Sequence, residues 1–429
     1  MAAKKPKRSA AKKPAAKKRA RKADRGSATV HRFAHPFYDL TPANTSPARP
    51  ADAAPIADFT ESKLEPIPKP KRSPPEMDLS EIIGDAGRTG VQSSGKIIFH
   101  AFGDSGNPAT ENQELVSDAM TEDYDTTKPE ISPSFLLHIG DVIYYDNTDS
   151  GYHEQFYAPY KRYPGKIVAI PGNHDGELFK YDGSSTGQKV TLGAFQQNFC
   201  QRSSILPPAA GTIYRQMVSQ PGVYWRLGAP FVDVVGLYSN IGETSGFISG
   251  PRIGMVQKDW LIATITAIKQ ARKTGPRKAF ILAVHHPLYS SGGHEPSISM
   301  HADIDDACTQ GGLMPDVVLT AHAHNYQRFT RRYTFSGRKL EIPYIVAGTA
   351  GRGIQAIKQA ADGQLHADAT FEKSLNGFGF LRVIVTTDAR GAAVKVKLDF
   401  VQVEADKQHR YRRSDFDSAT VDLASAKVS

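Results

Sequence analysis

The 429-residue sequence has only two cysteines, Cys200 and Cys308. Two thiols cannot build a disulfide framework, and neither stands in the paired spacing of a zinc knuckle. Two buried free thiols in a reducing compartment are expected, with a Cys200–Cys308 pairing left open. Long apolar runs are also missing. No stretch approaches the roughly 18 apolar residues that a membrane span requires. The first residues, "MAAKKPKRSAAKKPAAKKRARKADRG", hold no apolar block, so they do not read as a secretory signal. They are rich in Lys where transit peptides favour Arg and Ser. The expected location is cytoplasmic. Internal repeats are absent as well.

Acidic residues are scarce only at one end. Residues 1–25 carry twelve Lys or Arg and one acid, Asp24. The other 404 residues hold 41 basic and 43 acidic groups, a net of −2 against +9 for the whole chain. One tail therefore makes the protein basic. With so little to bury, that tail is expected to be disordered. It is either a polyanion-binding arm, for nucleic acid, polyphosphate or an anionic membrane, or a solvated solubilising tail.

Residues 27–94 lack apolar periodicity and are rich in Pro, as in "SPARPADAAP" and "EPIPKPKRSPPE". They read as a linker that drapes over the folded part through "HRFAHPFYDL". From Lys96 short β-branched runs appear: "KIIFHAF" (96–102), "FLLHI" (135–139), "KIVAI" (166–170), "VYWRL" (223–227) and "FVDVVGLY" (231–238). They continue as "KAFILAV" (278–284), "DVVLT" (316–320), "YIVAG" (344–348), "FLRVIVT" (380–386) and "VKVKLDFV" (394–401). Helical patterns intervene, the clearest from Gly254 to Lys273. Strands alternating with helices, then a late run of strands, predict a layered α/β domain with a mixed sheet or two packed sheets.

The chemistry lies just past the strand ends. "KIIFHAF" runs into "GDSG", "FLLHI" into "GDVIYYD" and "KIVAI" into "PGNHD"; "KAFILAV" runs into "HHP" and "DVVLT" into "AHAHNYQR". Singly, each is ordinary: Asp after Gly is turn chemistry, and one His beside a strand is commonly a satisfied core or surface residue. Together, five strands deliver two Asp, one Asn and three His to the edge of the sheet where ligands gather. A mixed oxygen and nitrogen set of that kind suits transition metals.

In its ordered motifs the sequence resembles the calcineurin-like metallophosphoesterases and, within them, the purple acid phosphatases. The motifs are "GDSG" (103–106), "GDVIY" (140–144), "GNHD" (172–175), "AVHHP" (283–287) and "AHAH" (321–324). Most of the superfamily places a histidine two residues after the first Asp; here Gly106 stands there. Purple acid phosphatases make the same omission and carry a tyrosine three residues after the second Asp, where this chain has Tyr144. The last motif departs from the family pattern, with Ala321 in place of Gly, so a Cβ there costs little only if the backbone is extended.

The resemblance, which covers about residues 96–400, implies an α/β fold: a four-layer α/β/β/α sandwich of two mixed sheets flanked by helices. The implied organisation is a disordered basic tail (1–26), a Pro-rich linker (27–94), a catalytic domain (95–404) and a C-terminal extension (405–429). A single catalytic domain is expected, without the extra β-sandwich of plant-type relatives. By position, Asp104, Tyr144 and His324 would bind a first metal, often Fe(III). Asn173, His285 and His322 would bind a second, Zn, Mn or Fe(II), and Asp141 would bridge both. The implied activity is phosphoric ester hydrolysis of the acid-phosphatase type on small phosphomonoesters, with a metal-bound hydroxide attacking phosphorus. His174 is the implied proton donor to the leaving group, with Asp175 either orienting its ring or capping the following turn. His294 either faces substrate or is an exposed loop residue. Arg328 either binds phosphate or ties its loop down by a salt bridge. The alternatives are a phosphodiesterase or nuclease of the same superfamily, or a polyanion-binding protein acting through residues 1–25.

Overall fold

The computed structural model describes residues 64–429 apart from 108–110, 181 and 367, together with Arg32 and Ala34. The basic tail (1–26) and, those two residues excepted, the linker up to residue 63 lie outside the described residues. In chain order the first strands are β1 (Glu76–Asp78), β2 (Lys96–Phe102), β3 (Phe135–His138), β4 (Lys166–Ala169), β5 (Trp225–Gly228) and β6 (Val232–Leu237). Next come β7 (Ala279–Val284), β8 (Val317–Thr320), β9 (Tyr326–Phe335), β10 (Arg338–Ala347) and β11 (Leu365–His366). The last are β12 (Ala369–Leu375), β13 (Phe378–Thr387), β14 (Ala393–Ala405), β15 (Tyr411–Asp422) and β16 (Lys427–Val428). The helices are α1 (Leu79–Ser94), α2 (Glu111–Thr121), α3 (Asp149–Tyr152), α4 (Gly193–Phe199), α5 (Val256–Thr274) and α6 (Ile298–Gly311).

Two mixed sheets result. The nine-stranded sheet runs β1-β5-β6-β7-β8-β10-β9-β12-β11, and the seven-stranded sheet runs β16-β15-β14-β13-β2-β3-β4. In the first, β6, β7, β8 and β10 are parallel; in the second, β2, β3 and β4 are. Side chains alternate between the two faces of each strand. Phe99 and Ala101 of β2 and Val383 and Val385 of β13 meet Val234, Ile281 and Leu319 of the other sheet in the central core. Their neighbours point outward: Leu136, Ile167 and Phe380 pack under Val116 and Met120 of α2 and Phe195 of α4. On the far side, Val235, Leu282 and Val284 pack under Leu261, Ile265 and Ile268 of α5 and Met300 and Ile304 of α6. That is the expected four-layer arrangement of two mixed sheets with helices on both outer faces. Each fully buried Val, Leu, Ile, Phe or Met among these side chains contributes roughly 1.5–3 kcal/mol of hydrophobic transfer energy.

The linker expected over 27–94 is in part structured. Residues 76–78 form β1 and residues 79–94 form α1. A capping box starts the helix: Asp78 accepts from Ser80 N–H, and the Glu81 carboxylate accepts from Asp78 N–H. Leu79, Ile82, Ile83 and Val91 then bury one face, and Gly95 stops the helix in the left-handed region, φ 68°. The D-x-x-E spacing before an apolar run was a readable signal. Upstream, Ala34 is buried and donates to Pro164 O at 2.8 Å, while Gln216 N–H donates to its carbonyl at 2.9 Å. That part of "HRFAHPFYDL" does lie on the domain. The C-terminal extension expected from residue 405 is largely strand: β15 pairs with β14 from Tyr411 to Asp422. Cys200 and Cys308 are buried free thiols. No helix among the described residues is long and apolar enough to cross a membrane.

Candidate metal centre

The parallel strands of both sheets end on one side, and the motif loops leave from there. Asp104, Asp141 and His322 sit in the left-handed backbone region, at φ 60°, 54° and 68°. For a residue with a Cβ that conformation costs about 1–3 kcal/mol, and it persists only where the surroundings enforce it. Here the loops enforce one another. Asp104 N–H donates to Gly140 O at 3.0 Å, His322 N–H to Asp104 Oδ2 at 2.8 Å, and His174 N–H to Asp141 Oδ1 at 3.0 Å. Each carboxylate thus has one oxygen held by a histidine-bearing loop and the other turned inward.

The seven candidate ligands gather in two adjoining groups. Tyr144 Oη lies 3.1 Å from Asp104 Oδ1 and 3.1 Å from His324 Nε2, and those last two are 3.6 Å apart. His285 Nε2 lies 3.2 Å from Asn173 Oδ1, and Asp141, His285 and His322 offer ligand atoms within 4.8 Å of one another. Asp141 stands between the groups: His285 Nε2 is 3.4 Å from Asp141 Oδ2 and 3.9 Å from Asp104 Oδ1.

The histidine tautomers follow from their outer partners. His285 Nδ1 lies 2.8 Å from Ile139 O and His324 Nδ1 2.9 Å from Gly353 O, so each donates there and turns Nε2 inward. His322 is reversed: its Nε2 donates to Glu243 O at 2.9 Å, which frees Nδ1. Tying one ring nitrogen to an acceptor is how metal-binding imidazoles are oriented. It leaves His285 Nε2 facing the Asn173 and Asp141 oxygens, a cluster of atoms able to ligate a cation. Asp141 Oδ2 is buried without a hydrogen-bond donor. Such an arrangement is costly unless a cation occupies it, so the residues fit a metal centre.

The electrostatics agree. Burial lifts Asp104 to about 7, opposed by His285. Burial acts on Asp141 in the same direction, but His285 and His174 outweigh it and hold that carboxyl below the usual range. His285 is raised to about 9, because Asp141 and Asp104 outweigh burial. Burial, with the charges of Asp141 and Asp104, holds the Tyr144 phenol well above 10; a bound cation would reverse that preference. Burial lowers His324 to about 3 and His322 well below its ordinary value, so both imidazoles are neutral, as ligands must be.

A scan of the chain against family descriptions matches residues 99–326 to the calcineurin-like phosphoesterases. The chain belongs to that family. Among solved structures it is similar to PhoD at 13% identity, with 78% of this chain and 71% of that chain covered and a TM-score of 0.50. It is also similar to GAP50, the anchor in the inner membrane complex of Plasmodium, at 12% identity, 75% and 89% coverage and a TM-score of 0.48. A dimetal phosphatase from Danio rerio gives 12% identity, 76% and 98% coverage and a TM-score of 0.40. At 13% identity the likeness to PhoD speaks only to the fold. No curated protein sequence matches the chain significantly.

The residues expected around the metallophosphoesterase centre fare differently. His174 lies against it, its ring 4.5 Å from that of Tyr144. Its ring is oriented by Glu177, not Asp175: Nδ1 is 2.9 Å from Glu177 Oε2. Asp175 instead accepts the Gly172 N–H at 2.8 Å and the Val142 N–H at 3.2 Å, tying two motif loops together. Burial opposes a charge on His174, yet Glu177 and Asp141 outweigh it and raise its pKa well above 6.5. His294 is drawn in: its ring stacks on His322 at 3.8 Å, and Gln355 Nε2 donates to its Nε2 at 2.9 Å. Burial pushes it down to about 4. Arg328 is turned away from the centre. Its Nε and Nη2 donate to both oxygens of Asp417 at 2.7 and 3.0 Å, so it ties β9 to β15, the salt-bridge alternative of the two. Ala321 lies outside the left-handed region, so its Cβ is unstrained.

Three neighbours went unread in the sequence. Glu177 follows His174 by three residues. Glu243, raised to about 7 by burial, accepts from Asn173 Nδ2 at 3.1 Å; it follows β6, where no motif announces it. His174, Glu177 and Glu243 themselves offer ligand atoms within 4.8 Å of one another. Arg352 stands over the Tyr144 ring, its guanidinium carbon 4.2 Å from the centroid.

Proposed function

We propose that the protein is a binuclear metal-dependent phosphomonoesterase of the purple-acid-phosphatase kind. The observation that carries this is the tethering of His285, His322 and His324, each by one ring nitrogen, so that the other meets the buried oxygens of Asp104, Asp141, Asn173 and Tyr144. Asp104, Tyr144 and His324 would hold the first metal, Asn173, His285 and His322 the second, and Asp141 both. A phenolate with carboxylates favours Fe(III) at the first site, with Zn, Mn or Fe(II) at the second. Once bound, such a pair clamps phosphoryl oxygens and supplies the acidified water that attacks phosphorus.

The chain's own groups do the rest. His174, kept protonated by Glu177, is placed to give a proton to the departing alkoxide. His294, stacked on His322 with its Nε2 held by Gln355, would have Nδ1 left to meet substrate. The subtype rests on the exchange of a histidine at 106 for Tyr144. A Cβ on Gly106 would lie 2.4 Å from Ile143 Cα, so the strand-end loop of Tyr144 fills the room a side chain would need. A phosphodiesterase or nuclease working through residues 1–25 is the second reading, favoured by the net charge of +11 there.

The test is hydrolysis of an aryl phosphate by the metal-loaded protein, with metal analysis and a visible spectrum. The expected result is turnover, two metals per chain and a phenolate-to-iron band that disappears in Tyr144→Phe. A colourless iron protein, or colour surviving in that variant, would contradict the subtype. Activity only on nucleic acid, falling steeply with salt, would favour the second reading.

A further inference from the structure

We propose that Arg352 binds a terminal oxygen of a phosphomonoester dianion and so sets a preference for monoesters over diesters. The inference rests on the function proposed above and names the residue that selects its substrate. Arg352 lies in "GTAGRG", the loop after β10. Ala350 N–H donates to Gly103 O at 3.2 Å, and Arg352 N–H donates to Asp104 O at 3.0 Å. Gly353 O takes the His324 Nδ1 proton, and Gln355 N–H donates to His324 O at 3.1 Å. The backbone on both sides of Arg352 is therefore fastened to the loops of two candidate ligands.

The side chain is fixed as well. Its guanidinium carbon stands 4.2 Å from the Tyr144 centroid and 5.4 Å from that of Tyr145. Stacking on aromatic faces engages the flat side of a guanidinium and leaves its five N–H donors free at the edge. Tyr145 is itself held at φ 60°, a conformation that bulky residues rarely keep without an enforcing environment. Arg352 is half-buried, and among the described residues its guanidinium has no carboxylate and no hydrogen-bond acceptor. Elsewhere in the fold half-buried arginines are paired: Arg226 with Asp233, Arg272 and Arg277 with Asp316, Arg328 with Asp417. A fixed, unpaired cation over the ring of Tyr144, a candidate ligand, is complementary to an anion seated on the centre. A phosphomonoester dianion has one more unesterified oxygen than a diester, and a planar guanidinium can engage it bidentately.

The experiment compares wild type, R352Q and R352K on an aryl phosphate and the matching bis-aryl phosphate, with orthophosphate as inhibitor. Metal content and the visible band serve as controls on the centre. In R352Q the monoester kcat/KM is expected to fall roughly 10- to 100-fold, the diester value by less than about threefold, and phosphate inhibition to weaken with the monoester. R352K should restore part of the loss, because a point charge replaces the fork. If both esters fall together, or neither falls, while metal content is intact, the inference is overturned. Should wild type hydrolyse neither ester, the function proposed above fails. Calorimetric binding of orthophosphate to the metal-loaded protein still decides Arg352: weaker binding in R352Q supports the assignment, and equal affinity overturns it.

Discussion

At the scale of single residues, the centre is a set of side chains whose outer atoms are all occupied. Asp141 illustrates this. One oxygen takes the His174 N–H, and the other is buried with no donor. Asp141→Asn puts an amide where the charge should be shared, so it is expected to abolish metal binding. The loss should exceed the roughly 10- to 100-fold that follows from removing an outer partner of a ligand. Metal content after dialysis checks it. The seven candidate ligands were legible in the sequence because each follows a strand in a recognisable motif. Glu243 and Arg352 were not, since a lone acid or base in a loop carries no spacing. For Arg328 the sequence left two roles open, and only the fold shows which partner it finds: Asp417, eighty-nine residues away, takes it as a salt bridge. Only the fold brings such partners together. Asp175 shows the same limit, since its nearest donors belong to Gly172 and Val142 rather than to the adjacent His174 ring.

At the scale of elements, the late strands do more than close a sheet. Asp123, just past α2, accepts from Arg413 of β15 at 2.6 Å and Arg382 of β13 at 3.3 Å, and lies 2.9 Å from His100 Nε2 of β2. Burial works against the Asp123 charge, but His100 and Arg413 hold its pKa below the usual carboxylate range. A depressed carboxylate contributes stability that is present above its unfolded value, about 3.9, and lost as pH falls toward the folded one. Asp123→Asn removes the one carboxylate that Arg413, Arg382 and His100 share and should cost about 3 kcal/mol at neutral pH, with less acid sensitivity remaining below about pH 4. Chemical denaturation at several pH values measures both effects. Gly106→Ala is a second test at this scale. Its Cβ meets the Ile143 backbone and should cost about 1–3 kcal/mol by overpacking. A thermal melt within error of wild type would contradict the packing account. The β-branched strands and α5 were readable from periodicity. By contrast, β15 was not, because "YRRSDFDSATVD" is mostly polar and is held by ladder bonds to β14.

For the whole molecule, the candidate centre and the excess positive charge lie in different stretches of the sequence. The described part is a two-sheet sandwich whose strand ends converge on one centre, while the positive charge sits in residues 1–25. The expected division of labour is that removal of residues 1–26 leaves the melting temperature and aryl phosphate turnover unchanged. Binding to DNA or polyphosphate should be lost, with a steep salt dependence in the intact chain. Turnover lost with the tail would contradict it. The four-layer architecture was legible because five motifs, each weak alone, occur in order at strand ends. The most direct check on the central claim is anomalous diffraction from crystals of the metal-loaded protein. Two peaks are predicted, one contacted by Asp104, Tyr144 and His324, the other by Asn173, His285 and His322, with Asp141 touching both. A single peak, or peaks away from Asp141, would contradict the account.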